Sequence, residues 1–251
     1  MKWLHTAADG FRCPRECILY GPEWEPISSI TCLPFIDYST KHRGMRMHEF
    51  KAELKSFGVV TQLKDGVRFV SECLKFPSKP STIKPKSVFS LLGCIRVLMQ
   101  DHKLAIDDDF RKRLSKNWLK THAGYRHPEM CLLFDSKWSY FLNPTDGPFI
   151  DENWYGPKIA SFRKELNAIG VISIVEKGCS LLASHLDSLS DHGNIVKIYK
   201  YLFEHNWKPK EKAAKKIWVL NGINGGKWVD SEECIIHDPS KIFCWFKILF
   251  S

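Results

Sequence analysis

Two stretches of this chain spell the same ordered string of residues, and that repeat constrains the fold more than any other feature. Trp3-Leu4-His5-Thr6 is followed by Gly10, Pro14, Cys17, Trp24 and Pro34-Phe35-Ile36-Asp37. Trp118-Leu119-Lys120-Thr121 is followed by Gly124, Pro128, Cys131, Trp138 and Pro148-Phe149-Ile150-Asp151. From Gly10 against Gly124 the offset holds at 114 residues through Asp37 against Asp151. It resumes at 112, with Phe50-Lys51-Ala52-Glu53-Leu54 against Phe162-Arg163-Lys164-Glu165-Leu166, Gly58-Val59-Val60 against Gly170-Val171-Ile172, and Gly66 against Gly178. A third copy opens at Trp218-Val219 and runs through Gly226 and Ser231-Glu232-Glu233-Cys234 to Asp238. A period near 100 residues is the size of a domain rather than of a solenoid turn, so the expectation is a row of related modules.

The expected modules are 1–102, without its N-terminal helix, 103–205, and 206–251 as the start of a third. The first copy opens at its Trp and the third stops soon after its Cys, so the chain reads as a piece of a longer protein. The fold class expected for each module is α+β, with hairpins and three helices. Phe110 to Leu114, preceded by Asp107 to Asp109 where acidic groups offset the positive helix end, predicts an opening helix, and Glu211 to Lys216 predicts its counterpart. Ile217 to Leu220 and Lys227 to Val229 flank a Gly/Asn turn and predict a hairpin. Short strands are expected at Cys17 to Tyr20, Cys131 to Phe134 and Cys234 to Ile236.

A helix over Lys158 to Ile169 should stop at Gly170, the residue that most cheaply takes the left-handed ending conformation. Val171 to Val175, a turn at Glu176-Lys177-Gly178 and Cys179 to Leu182 predict a second hairpin. Ile195, Ile198, Tyr199 and Leu202, and earlier Val88, Leu91, Leu92, Ile95 and Leu98, are spaced for the inner face of a closing helix. Lys75 to Lys86, with three prolines, reads as an extended loop. Residues from Pro209 onward lack most of a module's core and are expected to be the least stable part.

Composition narrows the function classes. With 44% hydrophobic residues and nine Trp among 251, the chain can bury real cores and is not a disordered segment. No run of about 18 apolar residues predicts a transmembrane helix, and Met1 to His5 lacks the apolar core of a secretory signal. Nine Cys without such a signal point to reduced thiols, in the cytosol or nucleus. A net charge of +9 permits contact with nucleic acid or an acidic protein without specifying either.

No set of residues makes a self-contained catalytic, cofactor or metal site. Cys17, Cys131 and Cys234 each precede two apolar residues, the pattern of a buried, unpaired thiol at a strand start. Cys13 and Cys17 form a CxxxC with no second pair at zinc-ligand spacing. Asp37 and Asp151 each follow Pro-Phe-Ile, and with no base or nucleophile beside them a cap or turn role is the simpler one. Gly225-Gly226-Lys227-Trp228 lacks the first Gly and the Ser/Thr of a phosphate loop and reads as a hairpin turn. Ser184, His185 and Asp187 are too close in sequence to act as a triad, and His122 and His127 read as surface residues in the loop of the second copy's opening hairpin. Lys208, Lys210, Lys212, Lys215 and Lys216, with Trp207 and Trp218 nearby, form the one candidate nucleic-acid contact. A second motive for nucleic-acid binding is the helix, hairpin and Gly turn at Phe162 to Leu182, read as a winged-helix element.

Several of these strings together resemble a known group. The pattern Trp-Leu-x-Thr…Gly-x3-Pro-x2-Cys, Gly147 to Glu152, Lys164-Glu165-Leu166 with Ile169-Gly170-Val171, and Ala183 to Asp187 are similar to the repeat region of the plant NO VEIN-like, sacsin-like family. The resemblance spans Trp3 to about Asp238. It implies a very large intracellular parent, more often nuclear than cytoplasmic, with a Hsp90-type, histidine-kinase-like ATPase domain near one end. That ATPase needs an acidic helix with an Asn and later Gly-rich motifs, and no candidates for them occur here. The resemblance therefore implies a non-enzymatic scaffold segment without a cofactor, whose partners are other proteins or the parent's ATPase. The alternative is a nucleic-acid-binding module.

Overall fold

A computed structural model describes residues 1–7, 10–37, 44–100, 106–208, 216–220 and 226–230. It is a mixed α+β fold of short helices and small antiparallel hairpins. In chain order, β1 (Leu4–Thr6) and β2 (Gly10–Arg12) form a hairpin, followed by α1 (Glu25–Ser28), α2 (Lys51–Ser56), α3 (Val67–Cys73) and α4 (Pro85–Gln100). Then come α5 (Asp108–Leu114), β3 (Leu119–Thr121) and β4 (Gly124–Arg126), α6 (Glu152–Tyr155), α7 (Arg163–Ala168), α8 (Cys179–Leu186) and α9 (His192–Glu204). A last hairpin joins β5 (Lys216–Leu220) to β6 (Gly226–Asp230).

Residues equivalent by sequence make equivalent local contacts. Ile18 bridges Phe35 and Val60 in parallel, and Leu132 bridges Phe149 and Ile172 in the same sense. Thr6 bridges Ile36, and Thr121 bridges Ile150, both antiparallel. Each Thr hydroxyl donates to a glycine carbonyl across its turn, Gly10 at 3.1 Å and Gly124 at 2.7 Å. α2 and α7 both stop before a glycine in the left-handed region, Gly58 (φ 96°) and Gly170 (φ 103°), where a side chain would be strained.

The chain divides into two compact units that do not follow the boundaries at 102/103 and 205/206. The first holds Met1–Leu119, Tyr125–Pro128 and Asn153–Ile169; the second holds Lys120–Gly124, Glu129–Glu152 and Gly170–Ser251. In the first unit, Leu4, Cys17, Leu19, Ile36, Leu54 and Val59 form one apolar cluster beside Met47. α4 packs on α1, α3 and α7. Its Arg96 donates to Glu165 Oε1 of α7 at 2.5 Å and lies over the Phe162 ring, 4.4 Å from its centre. Phe89, also on α4, stacks on Phe162 and meets Tyr155 edge-on.

The second unit is centred on Trp138, which stacks on Tyr201 at 5.6 Å and meets Phe149 edge-on at 5.1 Å. The Tyr201 hydroxyl donates to the Val175 carbonyl, and α8 packs on α9. Asp146, nearly fully buried, accepts two hydrogen bonds from Lys197 Nζ at 2.9 and 3.1 Å and one from the Asn143 amide. The last hairpin joins this core through Trp218, which is buried, and through the Trp228 indole N–H, which donates to the Leu189 carbonyl at 3.0 Å.

Several expectations are corrected. Val171 to Leu182 is not a hairpin: Ile172 makes one bridge, Val175–Lys177 is a 3-10 turn, and Cys179 begins α8. The strands at Cys17 to Tyr20 and Cys131 to Phe134 are single bridging residues, Ile18 and Leu132. The extended loop at Lys75 to Lys86 contains a 3-10 turn at Pro80–Thr82, and Pro85 already opens α4. Lys216 belongs to a strand rather than a helix; residues 211–215, Cys234 and everything beyond 230 lie outside the described residues.

Candidate functional site

The polar residues singled out in the sequence are drawn into structural pairs. Asp37 Oδ2 lies 3.1 Å from His5 Nδ1, and Asp151 Oδ2 lies 3.6 Å from Lys120 Nζ. His5 and Lys120 hold the same place in the repeat, so each acidic residue faces a basic group on the first strand of its own hairpin. These pairs take the carboxylates beyond the cap or turn role expected of them. Cys17 and Cys131 are fully buried and in no disulfide. The Cys17 thiol donates to the Cys13 carbonyl at 3.3 Å, and burial pushes its pKa up to about 11. Among the described residues no three His, Cys, Asp or Glu side chains gather at metal-ligand spacing. His122 and His127 are half-buried rather than on the surface. His185 lies within α8 and pairs with the Ser188 hydroxyl at 3.0 Å.

The basic candidates are only partly in view. Lys208 is exposed just beyond α9, and Lys216 opens β5, whereas Lys210, Lys212 and Lys215 lie outside the described residues. The two rings that would stack on bases are committed elsewhere: Trp218 is buried in the core of the second unit and Trp207 packs against it. With α8 in place of the expected strands, the winged-helix motive at Phe162 to Leu182 falls away.

A feature that sequence reasoning missed lies on the first hairpin. Trp3 and Phe57 meet edge-to-face at 5.9 Å while remaining 43% and 58% exposed. Phe11, 58% exposed, lies edge-on to the His5 ring at 5.1 Å. Beside them Trp3, Leu4, His5, Phe11, Ile36, Asp37 and Met47 line a shallow cleft of about 90 Å³. Grouped exposed aromatics of this kind, next to a small polar pair, mark interaction sites more often than catalytic ones.

Trp118, the equivalent of Trp3, sits in the opposite environment. It is 1% exposed, stacked on Phe76 at 5.0 Å and 10°, with its indole N–H donated to the Leu114 carbonyl at 2.8 Å. α5 supplies that carbonyl and buries its own Phe110 and Leu114. The identical Trp-Leu-x-Thr strings suggest equal burial. Only the surroundings, set by Phe76 and α5, separate the two. Compared with known protein families, curated proteins and solved structures, the chain matches none.

Proposed function

We propose that this chain is a non-enzymatic scaffold segment, built of tandem related α+β modules of about 100 residues, that binds other proteins through the exposed face of its first hairpin. The observation that carries this reading is the aromatic pair Trp3 and Phe57, two large rings kept in contact with each other and with solvent. Ordinary burial would stabilise each by roughly 1.5–3 kcal/mol, so a face that leaves both exposed gains by docking. Support for the module reading comes from the recurring bridges of Ile18 and Leu132 and from the paired glycines 58 and 170. The resemblance to NO VEIN-like, sacsin-like proteins extends the proposal to a larger, nuclear parent whose Hsp90-type ATPase such a segment would position.

A photoreactive benzophenone side chain at position 57, compared with one at exposed Met99 on α4, tests the reading in cells that make the protein. Protein adducts specific to position 57 and lost on Trp3→Asp are expected. Adducts to nucleic acid at position 57, together with oligonucleotide binding that weakens steeply with salt, would replace it with the nucleic-acid reading. Adducts equal at 57 and 99 would remove the face from consideration.

A further inference from the structure

Two cysteines of the first unit face each other across a backbone bridge. Thr31, just beyond α1, pairs antiparallel with Leu74, the residue that follows α3. The Cys32 amide donates to the Cys73 carbonyl at 2.9 Å, and the Lys75 amide donates to the Ile30 carbonyl at the same distance. That pattern sets Cys32 directly opposite Cys73. Residues so placed are roughly 5.5 Å apart between Cα atoms, inside the roughly 4.4–6.8 Å that a disulfide spans. Both thiols are free; Cys32 is exposed and Cys73 half-buried.

The surroundings suit thiol exchange. Burial raises the pKa of the Cys73 thiol and Glu72 adds to it, whereas the positive charges of Arg12 and Arg113 act the other way. The Cys32 thiol is near enough for its own charge to be felt at Cys73. Arg113 is anchored there by its hydrogen bond to the Ser71 carbonyl at 3.1 Å. The pair is not a requirement of the repeated fold. Cys17 recurs as Cys131, but the positions matching Cys32 and Cys73, at offsets of 114 and 112, are Asp146 and His185. Asp146 is bound to Lys197 and His185 to Ser188, so the second unit has an ion pair and a side-chain hydrogen bond where the first has two thiols.

We infer that Cys32 and Cys73 form a reversible dithiol–disulfide site, oxidised by small disulfides of the glutathione class. The exposed Cys32 thiolate attacks one sulfur of glutathione disulfide. Its S–S bond breaks, one glutathione leaves as a thiolate and takes up a proton, and Cys32 carries the other as a mixed disulfide. The Cys73 thiolate then attacks the Cys32 sulfur, which forms the Cys32–Cys73 bond and expels the second glutathione. The cysteines together lose two electrons and two protons, and glutathione disulfide gains both to become two glutathione thiols. The link ties the turn after α1 to the end of α3, close ahead of Phe76, the ring on which Trp118 stacks. The site does not depend on the interaction face proposed above.

The test is the full, reduced chain incubated with glutathione disulfide at about pH 8, near the ordinary thiol pKa, quenched with acid at intervals and mapped by peptide mass spectrometry. A peptide pair joined through Cys32 and Cys73 is expected from the folded protein, and dithiothreitol should separate it again. In denaturing urea the closing step should slow by about tenfold or more, leaving glutathione on Cys32. Cys73→Ser should leave Cys32 carrying glutathione in the folded protein too, and Cys32→Ser should suppress modification at Cys73. A closed loop restricts the unfolded chain, so the oxidised protein should unfold at a higher urea midpoint. The inference is overturned if the folded parent chain keeps glutathione on Cys32, if Cys32 or Cys73 joins another cysteine instead, or if the link forms as fast in urea. A lower urea midpoint would overturn it as well, since the bond would then form only by distorting the native bridge.

Discussion

Trp24 and Trp138 each press a ring edge against a glycine, and those contacts define what the two sites tolerate. A Cβ at Gly66 would stand 2.5 Å from Trp24 Cη2, and one at Gly178 would come closer still to Trp138 Cη2 while lying 3.0 Å from the Tyr201 hydroxyl. Neither glycine needs a positive φ, so the conflict is purely one of volume. Gly66→Ala and Gly178→Ala are each expected to cost about 1–3 kcal/mol, as overpacked cores do, read as a lower urea midpoint with an unchanged slope. An unshifted midpoint would mean that the tryptophans can move aside. The thiols give a second residue-scale prediction. Burial pushes Cys17 to about 11 and Cys94 to about 12, so neither forms the reactive thiolate near pH 8, whereas Cys32 is exposed. Brief alkylation of the native protein, read by peptide mass spectrometry, should mark Cys32 well ahead of Cys17, Cys94 and Cys131. Comparable labelling of Cys17 and Cys32 would contradict the buried assignment.

At the scale of elements, α4 and α7 are joined by the Arg96–Glu165 pair. Burial alone would raise the Glu165 carboxyl, but the Arg96 hydrogen bond and charge outweigh it and hold the pKa below its ordinary value of 4.5. A depressed carboxyl stabilises the fold fully above the unfolded-state pKa, and that contribution is lost as pH falls through the lower native one. Glu165→Gln should therefore flatten the loss of stability below about pH 4.5. At neutral pH it should cost about 1–2 kcal/mol, less than a fully buried pair because the Arg96 side chain is 42% exposed. Urea midpoints measured from neutral to acid pH decide this; parallel curves for the two proteins would refute it. The sequence revealed the helices α4, α5 and α9 because each shows helical spacing or a clear start or stop, whereas of the helix expected over Lys158 to Ile169 only α7 is α-helical and Pro157–Phe162 is a 3-10 turn. It misled at Val171 to Leu182, where β-branched residues and a Glu-Lys-Gly turn look like a hairpin. Val171 and Ser173 do face inward ahead of the 3-10 turn that Val175 opens, but Cys179, Leu181, Leu182 and Leu186 are set by contact with α9. Partners 69 and 51 residues apart, such as Arg96 with Glu165 and Lys197 with Asp146, leave no local signature at all. The same limit hid the Trp3 face, since Trp118 shares its string and only Phe76 and α5 distinguish the two.

On the scale of the whole molecule, the sequence repeat and the compact units are out of phase. Asn153–Ile169 belongs to the second copy by sequence, yet its Tyr155, Ile159, Phe162 and Leu166 are buried as part of the first unit. Four such side chains at roughly 1.5–3 kcal/mol each rival the entire stability of a domain, about 5–15 kcal/mol. A chain ending at Leu119 should therefore lack a cooperative urea transition and dispersed methyl NMR signals, while the full chain shows both. A sharp transition in the fragment would show that the later segment is dispensable. This phase difference also sets a clock on synthesis. When Leu119 has been made, another 50 residues must be added before Ile169 completes the segment that finishes the first unit. At about 5–20 residues per second that is a delay of roughly 3–10 s, in which Phe89 has neither ring partner and Arg96 has no carboxylate. Nascent chains stalled within that interval should be cut by protease inside residues 85–100, and chains extended until 169 is clear of the ribosome should resist.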